Sequence, residues 1–224
     1  MRKTIIITSG PTREYLDPVR YLTNASSGRM GAALAKAALA LGYRVQVISG
    51  PVEITYPTGA EVFPVITTEE MLKCARRLYP DAVGIIGAAA PCDFRPRLPR
   101  RQKITKECLT DEGLTLELVQ TPDILVALGK IKRPDQWLIA FALETHNCYR
   151  RAKAKLRLKN ADFVALNHPE VIGSDITDLE ILDGTGPIER FQGSKDEVSR
   201  RLVEMITEVW KEKNKPKKQK STKK

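Results

Sequence analysis

The chain has 224 residues, 42% of them apolar, which is enough for the core of one large domain or two small ones. A formal charge of +10 would suit a nucleic-acid binder, but eight lysines and one glutamate lie in residues 211–224, leaving about +3 on the other 210 residues. Four cysteines without a C-x-x-C pair and only two histidines argue against a zinc site or a disulfide framework, and no apolar run approaches the about 18 residues of a membrane span.

Residues 4–8 (TIIIT) read as a buried strand, short and β-branched. A long polar loop follows, then a helix over 29–41 stopped by Gly42. Residues 44–48 and 62–65 read as strands. Thr67 and Glu70 form a capping box that opens a helix to about residue 79. A strand over 81–88 ends in the small run Gly87-Ala88-Ala89-Ala90. Residues 137–142 and 162–167 are further strands, with a helix over about 148–159 between them. Residues 179–182 read as an edge strand or hairpin arm, and 195–213 as a closing amphipathic helix. This alternation predicts an α/β fold: a three-layer, Rossmann-like, mostly parallel sheet with helices on both faces. Residues 91–108 interrupt it with three prolines and six Arg or Lys, and read as a long basic strap loop at the carboxyl edge of the sheet. The expected division is one domain over 1–210 and a Lys-rich tail over 211–224. The amino terminus runs straight into a strand without a signal-peptide pattern, and together with the reduced cysteines this suits the cytoplasm.

The loop between the first strand and the first helix (TSGPTREYLDPVRYLTNASSGRMG) carries Asp17, Arg20, Asn24, Ser26 and Ser27. A strand, a Gly- and Ser-rich turn and a helix start form a layout that holds phosphate. No G-x-G-x-x-G follows the first strand and no acidic residue ends the second, which disfavours a nicotinamide reductase; no G-x-x-x-x-G-K-[ST] or Ser/His/Asp set is present. The remaining candidates suit a nucleoside triphosphate. Lys103 and Lys106 lie in the strap, and Lys155 and Lys159 share a helix face. Asp93 could hold magnesium or bond a nucleotide hydroxyl, or serve as a turn residue. Asn24 could donate to an oxyanion, or cap a helix. Cys92 reads as a small residue.

The segments DPVRYLTNASSGRMG, AAAPCDFRP with QKITKE, LELVQTPDIL, IAFALET and KLRLKNADFVALN occur in the order found in the phosphopantothenoylcysteine synthetase family, which the chain resembles over about residues 3–183. The resemblance implies a phosphopantothenate–cysteine ligase of coenzyme A biosynthesis. The 4′-phosphopantothenate carboxylate attacks the α-phosphate of CTP, and L-cysteine then displaces CMP to form an amide. Carried over by position, Asn24 stabilises the acyl-cytidylate and Lys103 contacts the nucleotide. Gly87, Ala88 and Ala89 form a wall against the nucleotide, with Asp93 beside it. Pro122, Asp123, Ile124 and Leu125 supply a nucleotide-contacting turn, Phe141 lines the base site, and Lys155 and Lys159 lie near the nucleotide. Ser26, Ser27 and Gly28 offer hydroxyl and N–H groups to phosphate. The resemblance further implies Mg2+, CTP in preference to ATP, a homodimer, no FMN and a separate flavin-dependent decarboxylase downstream. Departures occur at Ala90-Pro91-Cys92-Asp93 and at Lys103-Ile104-Thr105-Lys106, where the family often reads Lys-Ile-Lys-Lys and Thr105 replaces one cation. Two other classes stay open at this point: an NAD(P)-dependent reductase of this fold, and a non-catalytic polyanion-binding protein acting through the tail.

Overall fold

The computed structural model describes residues 2–105, 113–143, 147–167 and 176–213. Its centre is an eight-stranded sheet in the order β12-β11-β10-β9-β6-β1-β4-β5. These strands are β1 (Thr4–Ser9), β4 (Arg44–Ser49), β5 (Ala60–Pro64), β6 (Gly84–Gly87), β9 (Trp137–Leu143), β10 (Phe163–Asn167), β11 (Ile176–Leu182) and β12 (Pro187–Ser194). The pairs from β5 to β10 are parallel, and β11 and β12 close one edge as an antiparallel hairpin. Continuous apolar runs such as Ile5-Ile6-Ile7 are what a sheet covered on both faces requires.

Because side chains alternate along a strand, the two faces form two cores. Ile5, Ile7, Val45, Val47 and Ile139 pack with Leu34 and Ala38 of α1 (Arg29–Ala40) and Leu202 and Ile206 of α5 (Lys195–Lys213). Ile6, Ile48, Ile85, Leu138 and Val164 pack with α2 (Thr68–Leu78), α3 (Ile124–Gly129) and α4 (Cys148–Leu158). The three-layer α/β expectation holds. The Thr67/Glu70 capping box is formed, and Gly42 ends α1 at φ 82°.

Residues 179–182 belong to β11, the hairpin arm of the two alternatives expected; the edge itself is β12, which has a single buried side chain, Phe191, and so no alternating apolar signal. Other local readings change. The strap is not without regular structure: β7 (Phe94–Pro96) pairs antiparallel with β8 (Leu118–Gln120). The loop after β1 carries its own ribbon, β2 (Arg13–Tyr15) with β3 (Tyr21–Thr23). Helix α5 runs through Lys213, so the first three residues of the Lys-rich segment are helical. Residues 214–224, and with them the rest of the tail reading, lie outside the described residues, as do Lys106, Cys108, Glu144 and Thr145.

The order of strands fixes the site. From β1 the chain builds outward through β4 and β5, then returns to the other side of β1 with β6, β9 and β10. The connections after β1 and β6 therefore diverge and leave an open crevice at their carboxyl ends, where open α/β sheets bind ligands. Helix α1 sits tightly against this crevice, since a Cβ on Gly31 would lie 2.0 Å from Ser9 Oγ and 2.4 Å from Ser9 Cβ. The Gly31→Ala variant is expected to lose about 1–3 kcal/mol through this overpacking, read as a lower urea midpoint. A wild-type midpoint would show that α1 is not seated this closely.

Candidate active site

Two connections meet at the crevice, residues 10–28 after β1 and the segment after β6, and threonines knit them together. Pro11 forms a parallel bridge to Ala90, and the Ala90 N–H donates to Gly10 O at 2.9 Å. Thr12 Oγ1 accepts the Cys92 N–H at 2.9 Å and shares a 2.8 Å hydrogen bond with Thr68 Oγ1. The Cys92 carbonyl accepts from Thr121 Oγ1 at 2.5 Å and from Thr68 Oγ1 at 3.3 Å. Buried Glu14 accepts the Thr68 N–H at 2.8 Å, placing a carboxylate at the positive end of α2. The sequence reading assigned Thr12, Glu14, Thr68 and Thr121 no role. The capping box did signal a helix start at Thr68, but its partners lie 24 to 56 residues away in the chain.

Two adjoining cavities open on this framework. The larger, about 650 Å3, is lined by Asn24, Ser26, Ser27, Gly28, Ala88, Ala89, Asp93, Phe141 and Lys155, among others. The smaller, about 210 Å3, is lined by Gly87, Ala89, Asp93, Pro122, Asp123, Ile124, Leu125, Phe141, Lys155 and Lys159, with threonines and Cys92. Ala89, Asp93, Phe141 and Lys155 line both, so they form the wall between the two spaces. Among the described residues that the family resemblance assigns to the site, every one except Lys103 lines at least one of these cavities; Lys106 lies outside the described residues. Lys103 is exposed on the strap and lines neither.

The local chemistry of each group follows from its partners. Asn24 Nδ2 donates to Pro91 O at 2.9 Å and Ala90 O at 3.3 Å, which orients its amide toward the segment after β6. Gly28 is the N-cap of α1 at φ 74°, the Arg29 N–H reaches Ser27 Oγ at 3.5 Å, and the first turn of the helix lines the larger cavity. A Cβ on Gly87 would lie 2.5 Å from Leu125 Cδ1, so this glycine makes room for Leu125. The Ala88 and Ala89 N–H groups reach Thr8 O and Thr8 Oγ1 at 3.2 and 3.4 Å. Asp123 caps α3 by accepting the Val126 N–H at 3.0 Å and pairs with Lys159 at 2.5 Å, tying together two residues that line the smaller cavity. Among the described residues no three His, Cys, Asp or Glu side chains gather to hold a metal. Asp93 presents a single exposed carboxylate to both cavities. That suits a magnesium ion carried by nucleotide phosphates rather than caged by protein.

Cys92 is a framework residue. Its side chain is buried, its thiol donates to Thr12 O and Leu22 O at 3.5 Å each, and burial pushes its pKa up. A thiol held that way has little thiolate at neutral pH.

Residues 1–209 match the family model described as DNA/pantothenate metabolism flavoprotein C-terminal domain. The chain is 43% identical over 173 residues to the coenzyme A biosynthesis bifunctional protein CoaBC of Bacillus subtilis, covering 77% of this chain and 42% of that protein. It is 36% identical over 205 residues to the protein of the same name from Borreliella burgdorferi, covering 91% and 52%. The chain thus spans about half the length of the curated relatives it matches. A crystal structure of the C-terminal domain of a CoaBC protein superposes with a TM-score of 0.78 at 34% identity, covering 94% of this chain and 96% of that one. The chain belongs to the family of DNA/pantothenate metabolism flavoprotein C-terminal domains.

Timed alkylation of native protein at pH 8 is expected to label Cys92 more slowly than the half-buried Cys74 and Cys148, and to label it fully only after unfolding. Prompt labelling of native Cys92 would contradict its place in the framework.

Proposed function

We propose that this family member is a phosphopantothenate–cysteine ligase of coenzyme A biosynthesis that activates 4′-phosphopantothenate with CTP. The observation that carries the reading is the pair of adjoining cavities sharing Ala89, Asp93, Phe141 and Lys155. A two-step ligation needs two substrates held side by side with the reacting phosphorus at their common wall. The smaller cavity, with Lys155 and Lys159, takes the nucleotide. The larger, with Ser26, Ser27 and the start of α1, takes the acyl substrate and then cysteine.

A carboxylate does not react with an amine until one of its oxygens becomes part of a good leaving group. Attack on the α-phosphate of CTP releases pyrophosphate and makes CMP that leaving group. This step needs alignment and cations against the phosphates more than a protein nucleophile. Lys155 of α4 and Lys159 at its C-cap supply charge, and Lys103 adds charge from the strap. Magnesium on the triphosphate, met by Asp93, would neutralise further charge. Attack of the cysteine amine then builds an oxyanion. The Asn24 amide, which here donates to Pro91 and Ala90, is the neutral donor beside the larger cavity that can serve it. Ser26, Ser27 and Gly28 hold phosphate at the start of α1.

The ligase unit is assigned to residues 1–210 with the end of α5 through Lys213, and the rest of the Lys-rich segment lies outside it. This unit itself holds no FMN, acts in the cytoplasm and yields a product for a flavin-dependent decarboxylase. A homodimer is supported by the two ribbons, where β2 lies against β7. Val19, Tyr21, Phe94, Leu98 and Leu118 are exposed there, Leu98 at 82%. That apolar face is what a second copy would cover.

Purified protein is expected to release pyrophosphate from CTP only when 4′-phosphopantothenate is present, and to form the amide when cysteine is added. Release with ATP alone would overturn the choice of nucleotide, and no release with either would overturn the ligase reading. The Asn24→Ala variant should lower kcat by about 10²–10³-fold with unchanged thermal unfolding. Lys103→Gln should raise the KM for the nucleotide about tenfold, the equivalent of ~1.4 kcal/mol. Wild-type kinetics in either variant would remove that residue from the mechanism.

A further inference from the structure

We propose that Asp17 is a positioning residue that, together with Arg20, clasps the strap at Ile104 and so sets the position of the adjoining Lys103. The functional half of this inference rests on the reading that Lys103 serves the nucleotide; the clasp itself does not. The Asp17 side chain is fully buried in the loop after β1, and its two oxygens face four donors. Oδ1 accepts the Val19 and Arg20 N–H groups, each at 2.8 Å. Oδ2 accepts Arg20 Nη1 at 2.6 Å and the Ile104 N–H at 3.1 Å, across 87 residues of chain. The same Arg20 Nη1 donates to Ile104 O at 2.9 Å. One carboxylate and one guanidinium therefore satisfy both backbone polar groups of a strap residue, as a neighbouring strand would.

The chemistry of the pair suits this task. Burial alone would raise the Asp17 pKa, but the Val19, Ile104 and Arg20 N–H donors and the Arg20 guanidinium hold it far below the usual carboxylate range. The group is an anion at working pH and accepts without donating. A second tie reinforces it, because the Arg100 N–H donates to Leu16 O at 2.8 Å. Ile104 is buried at 6% exposure, whereas Arg101, Gln102, Lys103 and Thr105 around it are exposed. The strap thus touches down at Ile104, and Lys103 is displayed from that fixed point.

The test uses Asp17→Asn in the full chain. The amide keeps an acceptor for Val19 and Arg20 but can set an N–H against the Arg20 and Ile104 donors. Ile104→Pro breaks the clasp from the strap side by removing its donor, and serves if the buried substitution fails to fold. Both variants should be cut by trypsin after Arg100, Arg101 and Lys103 about tenfold faster than the parent, with unfolding temperatures showing a folded sheet. Each should raise the KM for CTP about tenfold with a smaller change in kcat, and adding Lys103→Gln should give no further rise. Parental cleavage rates in the folded variants would overturn the clasp. Faster cleavage with parental KM, or an effect that adds fully to that of Lys103→Gln, would overturn the positioning role. If Lys103→Gln alone leaves the KM unchanged, the functional reading of Lys103 fails, and the cleavage rates still decide the clasp.

Discussion

The constraint on which the rest of this structure depends is the divergence of the chain on either side of β1. With β4 and β6 as its two parallel neighbours, β1 feeds one connection toward α1 while β6 feeds another toward the strap. Neither connection can cover the gap between them without crossing the other. The gap therefore persists as a crevice at the carboxyl edge, lined by backbone that has left the sheet. Loops normally vary in position, yet here the two are bound to each other before they can serve a ligand. Thr12, Thr68, Thr121 and Cys92 form one hydrogen-bonded cluster, and the Pro11–Ala90 bridge extends the sheet pairing past its end. Pre-organisation of this kind is what an aligned phosphoryl or acyl transfer requires, because misplacement by an ångström costs orders of magnitude in rate.

The charge distribution follows the same logic. The cations beside the cavities come from α4 and its end, Lys155 in the helix and Lys159 at its C-cap, and Lys159 is steadied by Asp123, itself the cap of α3. By contrast, Lys103 comes from the strap and depends on that segment's own attachment. The site thus combines a fixed half with a half whose placement is set by loop-to-strap contacts. Asn24 lies at the junction, its amide already directed by two carbonyls of the segment after β6.

How much of this was legible in the sequence depends on the length and locality of the signals. The buried strands and the helices α1, α2 and α4 announced themselves through apolar runs and caps, all local features. The strands β2, β3, β7 and β8 are three residues each, and β7 includes Pro96, so no window of residues could show a period. The partner of β7 is β8, more than twenty residues on, and such pairing leaves no mark in local sequence. β12 was missed because seven of its eight residues lack a buried side chain. At the site, residue types and spacings pointed to the carboxyl edge of the sheet. They could not show that Gly87 makes room for Leu125, or that Asp123 is engaged by Lys159. Asp17 and Arg20 were visible as polar residues three apart in a long loop, but their common partner, Ile104, lies far along the chain.

The central claim is that the carboxylate of 4′-phosphopantothenate, held in the larger cavity, attacks the α-phosphate of a nucleotide held in the smaller one. Turnover of 4′-phosphopantothenate labelled with 18O in its carboxylate, with CTP and cysteine, tests this most directly by mass analysis of the products. The account predicts one 18O in the phosphate of CMP and none in pyrophosphate. Label in inorganic phosphate, or CMP without label, would contradict it.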